Sequence, residues 1–133
     1  MSKMYGPHTA TVEKIIASIA DLTEEVALDV FDCMTDMDAD VRRADQVASN
    51  AVRMAALRAG RYRAYRAAYE AVGDAVAARC GSKETPQPWS ALAAALQAVV
   101  EAVVVRDCVT DEVFSRPFGY FSYSMVERWE ADE

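Results

Sequence analysis

With 133 residues, 53% of them hydrophobic, and a formal net charge of −7, the chain is long enough to enclose one core without a metal or disulfide. The isoelectric point near 4.7 opposes general attraction to polyanions. The longest apolar run, Trp89 to Val105, is 17 residues and is interrupted by Ser90, Gln97 and Glu101, short of the roughly 20 residues that cross a bilayer. Twenty-five alanines account for much of the apolar content and add helix propensity more than core volume. The region from Met1 to Pro7 lacks the pattern of a secretory signal, so a cytoplasmic location is expected. Cys33, Cys80 and Cys108 are odd in number, far apart and set among apolar neighbours, which predicts buried free thiols in a reducing compartment.

In chain order, Val12, Ile15, Ile16 and Ile19 recur at steps of three and four, predicting one buried helical face from Thr9 or Thr11 to about Ala20. Thr23 is a cap for a second helix, with Glu24 and Glu25 in its first turn. Val26, Val30, Phe31, Met34 and Met37 form its inner stripe, and Glu25, Asp29, Asp32 and Asp36 its outer face. Asp38 to Asp40 offer an N-cap for a long helical segment over about 39–80, with Tyr62, Tyr65, Tyr69, Val72 and Val76 as its clearest seam, extended by Ala48, Ala51 and Ala55. A straight helix of that length would measure roughly 60 Å, against a radius of gyration near 14 Å for a compact domain of this size. Either Gly60 bends or breaks the segment, or the rod projects and pairs with a second copy; a bend is favoured. Gly81 stops it, and the stretch to Pro88 is an internal loop, about 81–88.

The next predicted helix, about Trp89 to Asp107, is apolar nearly all round and belongs at the centre of a bundle, with Glu101 at an edge or paired. Thr110 opens a short turn through Val113 and Phe114, ended by Pro117; Ser124 to Glu127 is a possible capping box in an aromatic tail containing Phe118, Tyr120, Phe121, Tyr123 and Trp129. No repeat and no strand emerges. The fold expected is all-α, a single domain over 1–133 with four or five helices.

The charges are sorted. Seven of fourteen positive side chains, Arg42, Arg43, Arg53, Arg58, Arg61, Arg63 and Arg66, fall in one stretch with a single acid, Asp45, whereas residues 1 to 40 hold nine acids against Lys3 and Lys14. Such segregation creates strong local fields. The arginines, Arg53, Arg58, Arg61, Arg63 and Arg66 above all, could grip phosphates; alternatively the acidic helix and acidic tail lie against them as an internal clasp. Glu25, Asp29, Asp32, Asp36, Asp38 and Asp40 could in turn imitate phosphates and occupy a basic groove, or simply be a solvated face. Asp36, Asp38 and Asp40 have the opening spacing of a calcium loop, but Val41 replaces its glycine and Val47 its closing glutamate, so no metal is expected. The tyrosines are read as packing rather than base-stacking residues, and the tail aromatics as a cap on the bundle or a partner anchor.

Catalysis finds no support: the single histidine, His8, lies in a start expected to fray, no phosphate-cradling glycine loop occurs, and no Glu-x-x-His pair is present. No catalytic residue and no cofactor is assigned. The stretch 91–118, above all Val103, Val104, Val105, Arg106 and Asp107 followed by Thr110, Phe114 and Pro117, resembles a segment found in small alanine-rich proteins of actinobacteria and their phages, with Cys108 where that pattern has a large aliphatic residue. The resemblance implies an origin, not a role, and carries over no site residues. The function expected is a non-enzymatic inhibitor of a host complex, of the anti-CRISPR type, presenting carboxylates to a partner with a basic surface. The alternatives are a nucleic-acid or assembly module built on the arginines, as a homodimer, and a phage or bacterial scaffold protein.

Overall fold

The structure is a computed structural model that describes residues 4–81 and 85–115. Among them are six α-helices and no strand: α1 (Thr9–Ser18), α2 (Glu24–Thr35), α3 (Ala39–Arg58), α4 (Tyr62–Cys80), α5 (Trp89–Val104) and α6 (Asp111–Ser115). Short 3-10 turns precede α1 and follow α1 and α5. The expected all-α class is therefore observed. The described residues alone hold six helices, because the 39–80 stretch is two helices and the short turn opened by Thr110 is a helix of its own; the short helix expected from Ser124 lies outside the described residues.

Caps set most of these boundaries. The Val26 amide donates to Thr23 Oγ1 at 3.3 Å, the Val41 amide to Asp38 Oδ1 at 2.9 Å and the Val113 amide to Thr110 Oγ1 at 3.2 Å, so α2, α3 and α6 each start where a side chain satisfies an otherwise orphaned N–H. The end of α3 is a Schellman motif: the Arg61 amide donates to the Ala56 carbonyl at 2.8 Å and the Gly60 amide to Leu57 at 3.3 Å, with Gly60 at φ +70. That left-handed residue closes the helix and re-aims the chain, which is why the long rod expected from periodicity does not form. Gly81, at φ +72, ends α4 in the same conformation.

The apolar α5 occupies the centre, packed against α1, α2, α3 and α4, and ten of its residues are buried, among them Leu92, Leu96, Val99, Val100 and Val103. Val12, Ile15 and Ile19 from α1 and its following turn, Ala27 and Val30 from α2, Val52 and Ala56 from α3, Tyr65, Ala68, Val72 and Val76 from α4, and Phe114 from α6 close around it as one cluster. A glycine on α4 leaves room for a side chain of α5. A Cβ on Gly73 would lie 3.3 Å from Gln97 Nε2, the same atom that donates to the Tyr69 carbonyl at 3.2 Å. Glu101 lies beside the Tyr65 hydroxyl in the half-buried layer between α4 and α5. Burial holds its carboxyl above the ordinary carboxylate range, with the neighbouring Tyr65 hydroxyl and Arg66 pulling the other way.

Two expectations need correction. The stretch from Tyr5 to Thr9 around His8 is tied down rather than frayed: Tyr5 is buried, its amide donates to Thr9 Oγ1 at 3.1 Å, and Thr9 Oγ1 donates to the Gly6 carbonyl at 2.6 Å. His8 is held in place, as described below. Nor are the thiols buried: Cys33 and Cys108 are exposed and Cys80 is half-buried, all three free. Cys33 belongs to the outer half of α2, and Cys108 to the turn that leaves the core after α5.

Candidate functional site

At 100° per residue, Glu25, Asp29, Asp32 and Asp36 lie within about 60° of one another on α2, and the centre of that stripe is nearly opposite Ala27 and Val30. All four are exposed. From Glu25 to Asp36 the stripe runs about 16 Å, with neighbouring carboxylates one turn, about 5 to 6 Å, apart. Asp38 and Asp40 continue the acidic surface across the bend into α3, but they differ in availability. Asp38 is committed to its cap, and Asp40 lies 3.9 Å from Arg43 on open surface.

None of the four stripe acids has an arginine within ion-pair distance among the described residues. Arg42 does approach α2, but its guanidinium meets the Met34 carbonyl at 3.5 Å rather than a carboxylate. The last turn of α2 carries no basic residue, so Asp32 and Asp36 stand against the negative end of the helix dipole, an arrangement that costs a few tenths of a kcal/mol per charge. The stripe is thus neither neutralised by the nearby arginines nor favoured by its own helix.

The structure disperses the arginine block. Arg53 and Arg58 are exposed on α3 and Arg63 on α4, with no ion pair among the described residues. Arg66 is 3.8 Å from Glu70 and 5.4 Å from the Tyr69 ring. Among the described residues, Arg61 is the one arginine of the block that pairs with an acid of another element. Its Nη1 and Nη2 donate to the two oxygens of Asp107 at 2.6 and 2.9 Å, and Nη1 also donates to the Val104 carbonyl at 3.2 Å. His8 Nε2 approaches the same carboxylate at 3.0 Å. The paired guanidinium holds the Asp107 carboxyl well below the usual carboxylate range. This cluster ties the start of the chain, the α3–α4 break and the end of α5 together. Sequence reading missed it because nothing local marks residues 46 and 99 positions apart as neighbours. The other part of the expected clasp, the acidic tail, lies outside the described residues, as do the tail aromatics and Pro117.

Of the tyrosine seam, only Tyr65 is buried; Tyr62 and Tyr69 are each 38% exposed, and Tyr62 stacks on Tyr65 with centroids 5.5 Å apart. The inner positions that periodicity left out are Ala68 on α4 and Val52 and Ala56 on α3. Their signal was present in the spacing, masked by the more conspicuous aromatics. Among the described residues no group of three or more His, Cys, Asp or Glu converges as a metal site, and no helix is long and apolar enough to cross a membrane. No protein-family model matches the chain, nor does any curated protein or solved structure. What can be argued about function comes from the surface just described.

Proposed function

We propose that the chain is a non-catalytic binding factor that offers the α2 carboxylate stripe to a partner with a basic surface, in the manner of inhibitors that fill a nucleic-acid-binding groove. The observation that carries this reading is the stripe itself: Glu25, Asp29, Asp32 and Asp36 aligned, exposed and, among the described residues, without an ion pair, extending into the helix end where carboxylates are least favourable. Four charges over about 16 Å stand about 5.5 Å apart, a sparser row than the one phosphate per 3.4 Å of axis on a nucleic-acid strand. A basic groove would meet a line of negative charge of the same sign and direction, and long-range attraction would raise the encounter rate by one to three orders of magnitude at low salt. A phage or mobile-element origin and an anti-CRISPR-type role are the specific form of this proposal. The test is retention of host proteins from lysate by the wild-type chain and by an Asp29→Arg, Asp32→Arg, Asp36→Arg variant at two salt concentrations. A partner held by the wild type at low salt, released at high salt and lost by the variant supports the reading. Equal retention by both proteins discards it.

A second reading has its own observation. Arg53, Arg58 and Arg63 are unpaired among the described residues, and Tyr62, Arg66 and Tyr69 make an outward aromatic-basic strip on α4, chemistry that suits a polyanion with stackable bases. Gel-shift titration with duplex and single-stranded DNA at low salt separates the two readings: absence of a shift at micromolar protein removes the second.

A further inference from the structure

An open groove of about 370 Å³ lies between α3 and α6, its apolar lining supplied by Ala44, Val47 and Ala51 of the former and Val113 of the latter. On α3 the groove belongs to a longer row. Asp40, Ala44, Val47, Ala51, Met54 and Arg58 follow one another at steps of four, three, four, three and four, the alternation that keeps a helical seam turned toward one partner helix. At 100° per residue the six lie within about 80° of one another, centred about 120° from the buried Ala48, Val52 and Ala56. Val47 is 64% exposed and Met54 41%, and the charged residues at the two ends, Asp40 and Arg58, are exposed as well. Large apolar side chains left open along one line, closed at each end by a charge, make a surface of the kind that ordinarily receives a partner.

We infer that this row pairs antiparallel with the same row of a second copy of the chain. The symmetry of the row selects that occupant. Reversed about Ser49, it sets Asp40 against Arg58, Ala44 against Met54 and Val47 against Ala51 of the second copy, and the twofold axis repeats each contact. Each charge then meets its opposite and each large apolar side chain a small one, so the two helices can approach to about 8 Å, the close end of helix packing distances. Parallel pairing in register does the reverse, placing Asp40 on Asp40, Arg58 on Arg58 and Met54 on Met54. The contact that Asp40 makes within its own chain, 3.9 Å from Arg43 across side chains 92% and 76% exposed, is solvated and holds it weakly. Arg58 makes no ion pair among the described residues. On one flank, Arg43 comes beside Leu57 of the second copy, where its aliphatic stem covers a side chain otherwise 49% exposed. The interface uses none of the α2 stripe residues, so it goes beyond the carboxylate reading, and it gives each assembly two stripes with which to engage a partner.

The experiment is sedimentation equilibrium of the full chain from about 5 to about 500 μM in about 50 mM salt, where exposed charges are only weakly screened. Wild type is compared with Val47→Glu, with Asp40→Arg, with Arg58→Asp and with the double variant that carries both charge reversals, all at exposed positions and checked for folding by thermal melting. Antiparallel pairing predicts a monomer–dimer equilibrium in the wild type and a monomer in Val47→Glu. Each single charge reversal should raise the dissociation constant about tenfold or more, because two symmetry-related pairs turn from attraction to repulsion. The double variant restores both pairs with their signs exchanged and should return to within about threefold of the wild type. A wild type that stays monomeric over the whole range overturns the inference. So does a dimer that Val47→Glu or the single charge reversals leave intact, and so does a double variant that associates no better than the singles.

Discussion

Replacing Asp107 by asparagine removes one charge from the cluster that joins three parts of the chain. The wild-type carboxylate accepts two guanidinium hydrogen bonds from Arg61 at 2.6 and 2.9 Å and is approached by His8 at 3.0 Å. Asp107 is 46% exposed and Arg61 21%, so the pair is well screened on one side and its full Coulomb attraction is not available. A bidentate pair in this setting is worth about 1 kcal/mol, and leaving a mostly covered guanidinium with only the Val104 carbonyl as partner adds about 0.5 kcal/mol. The expected loss is therefore about 1.5 kcal/mol at pH 7. Spread over an unfolding entropy of about 0.28 kcal/mol/K for a chain of this size, that lowers Tm by about 5 °C. Because Arg61 depresses the folded-state carboxyl below its unfolded value near 3.9, the wild-type advantage is fully present above about pH 5. It shrinks as pH falls through the unfolded and then the folded value. Calorimetry of both proteins between pH 7 and pH 2, with a double-mutant cycle through Arg61→Gln, measures it. A deficit below about 0.3 kcal/mol at pH 7, or one that stays constant to pH 2, would refute the reasoning.

Glu101→Gln tests the buried carboxyl with the opposite sign. A folded-state value raised by burial means stability is present at low pH and lost as pH rises above about 4.3. The variant should match or exceed the wild type by up to about 1 kcal/mol at pH 7 and show no gain at pH 4. Tyr65→Phe removes the hydroxyl that lowers the Glu101 carboxyl and should cost about 1 kcal/mol in denaturant titrations at pH 7. Gly60→Ala places a Cβ where no atom lies within 4 Å, so its cost, about 1 to 2 kcal/mol, is that of the left-handed backbone alone, and Gly60→Asn should recover part of it. Phe114→Ala, at a side chain 1% exposed beneath the Arg106 guanidinium, should cost about 3 to 4 kcal/mol and release α6 in hydrogen exchange.

Where the fold was legible, a local signal decided it. Thr23, Asp38 and Thr110 are caps at the positions their side-chain chemistry predicts, Gly81 ends α4, and the nearly all-apolar α5 is central because a helix with no polar face has nowhere else to go. Gly60 was legible as an interruption, but the distinction between a bend and a full stop rests on the amides of Gly60 and Arg61 reaching back to Leu57 and Ala56. The acidic stripe followed from 3.6-residue spacing. What spacing could not supply was pairing at a distance. Arg61 with Asp107, His8 with the same carboxylate, and the Arg79 guanidinium donating to the Leu22 carbonyl at 2.9 Å while stacking on Trp89 are tertiary choices. Cys33 was misplaced because Phe31 and Met34 beside it made an outer helical position look like an inner one, and Cys108 because the valines on either side of it hid a turn that leaves the core.

Neutralising the stripe with Asp29→Asn, Asp32→Asn and Asp36→Asn should leave stability within about 0.5 kcal/mol per site, since all three are exposed and make no ion pair among the described residues; any loss of binding is then a loss of contact rather than of fold. The direct measurement is the hydrogen-exchange footprint of a captured partner on the full chain. Protection concentrated over residues 25–36, weakened in the triple asparagine variant, is what carboxylate presentation requires. Protection over residues 53–69 with α2 unchanged would place the contact on the arginine and tyrosine face and contradict the account.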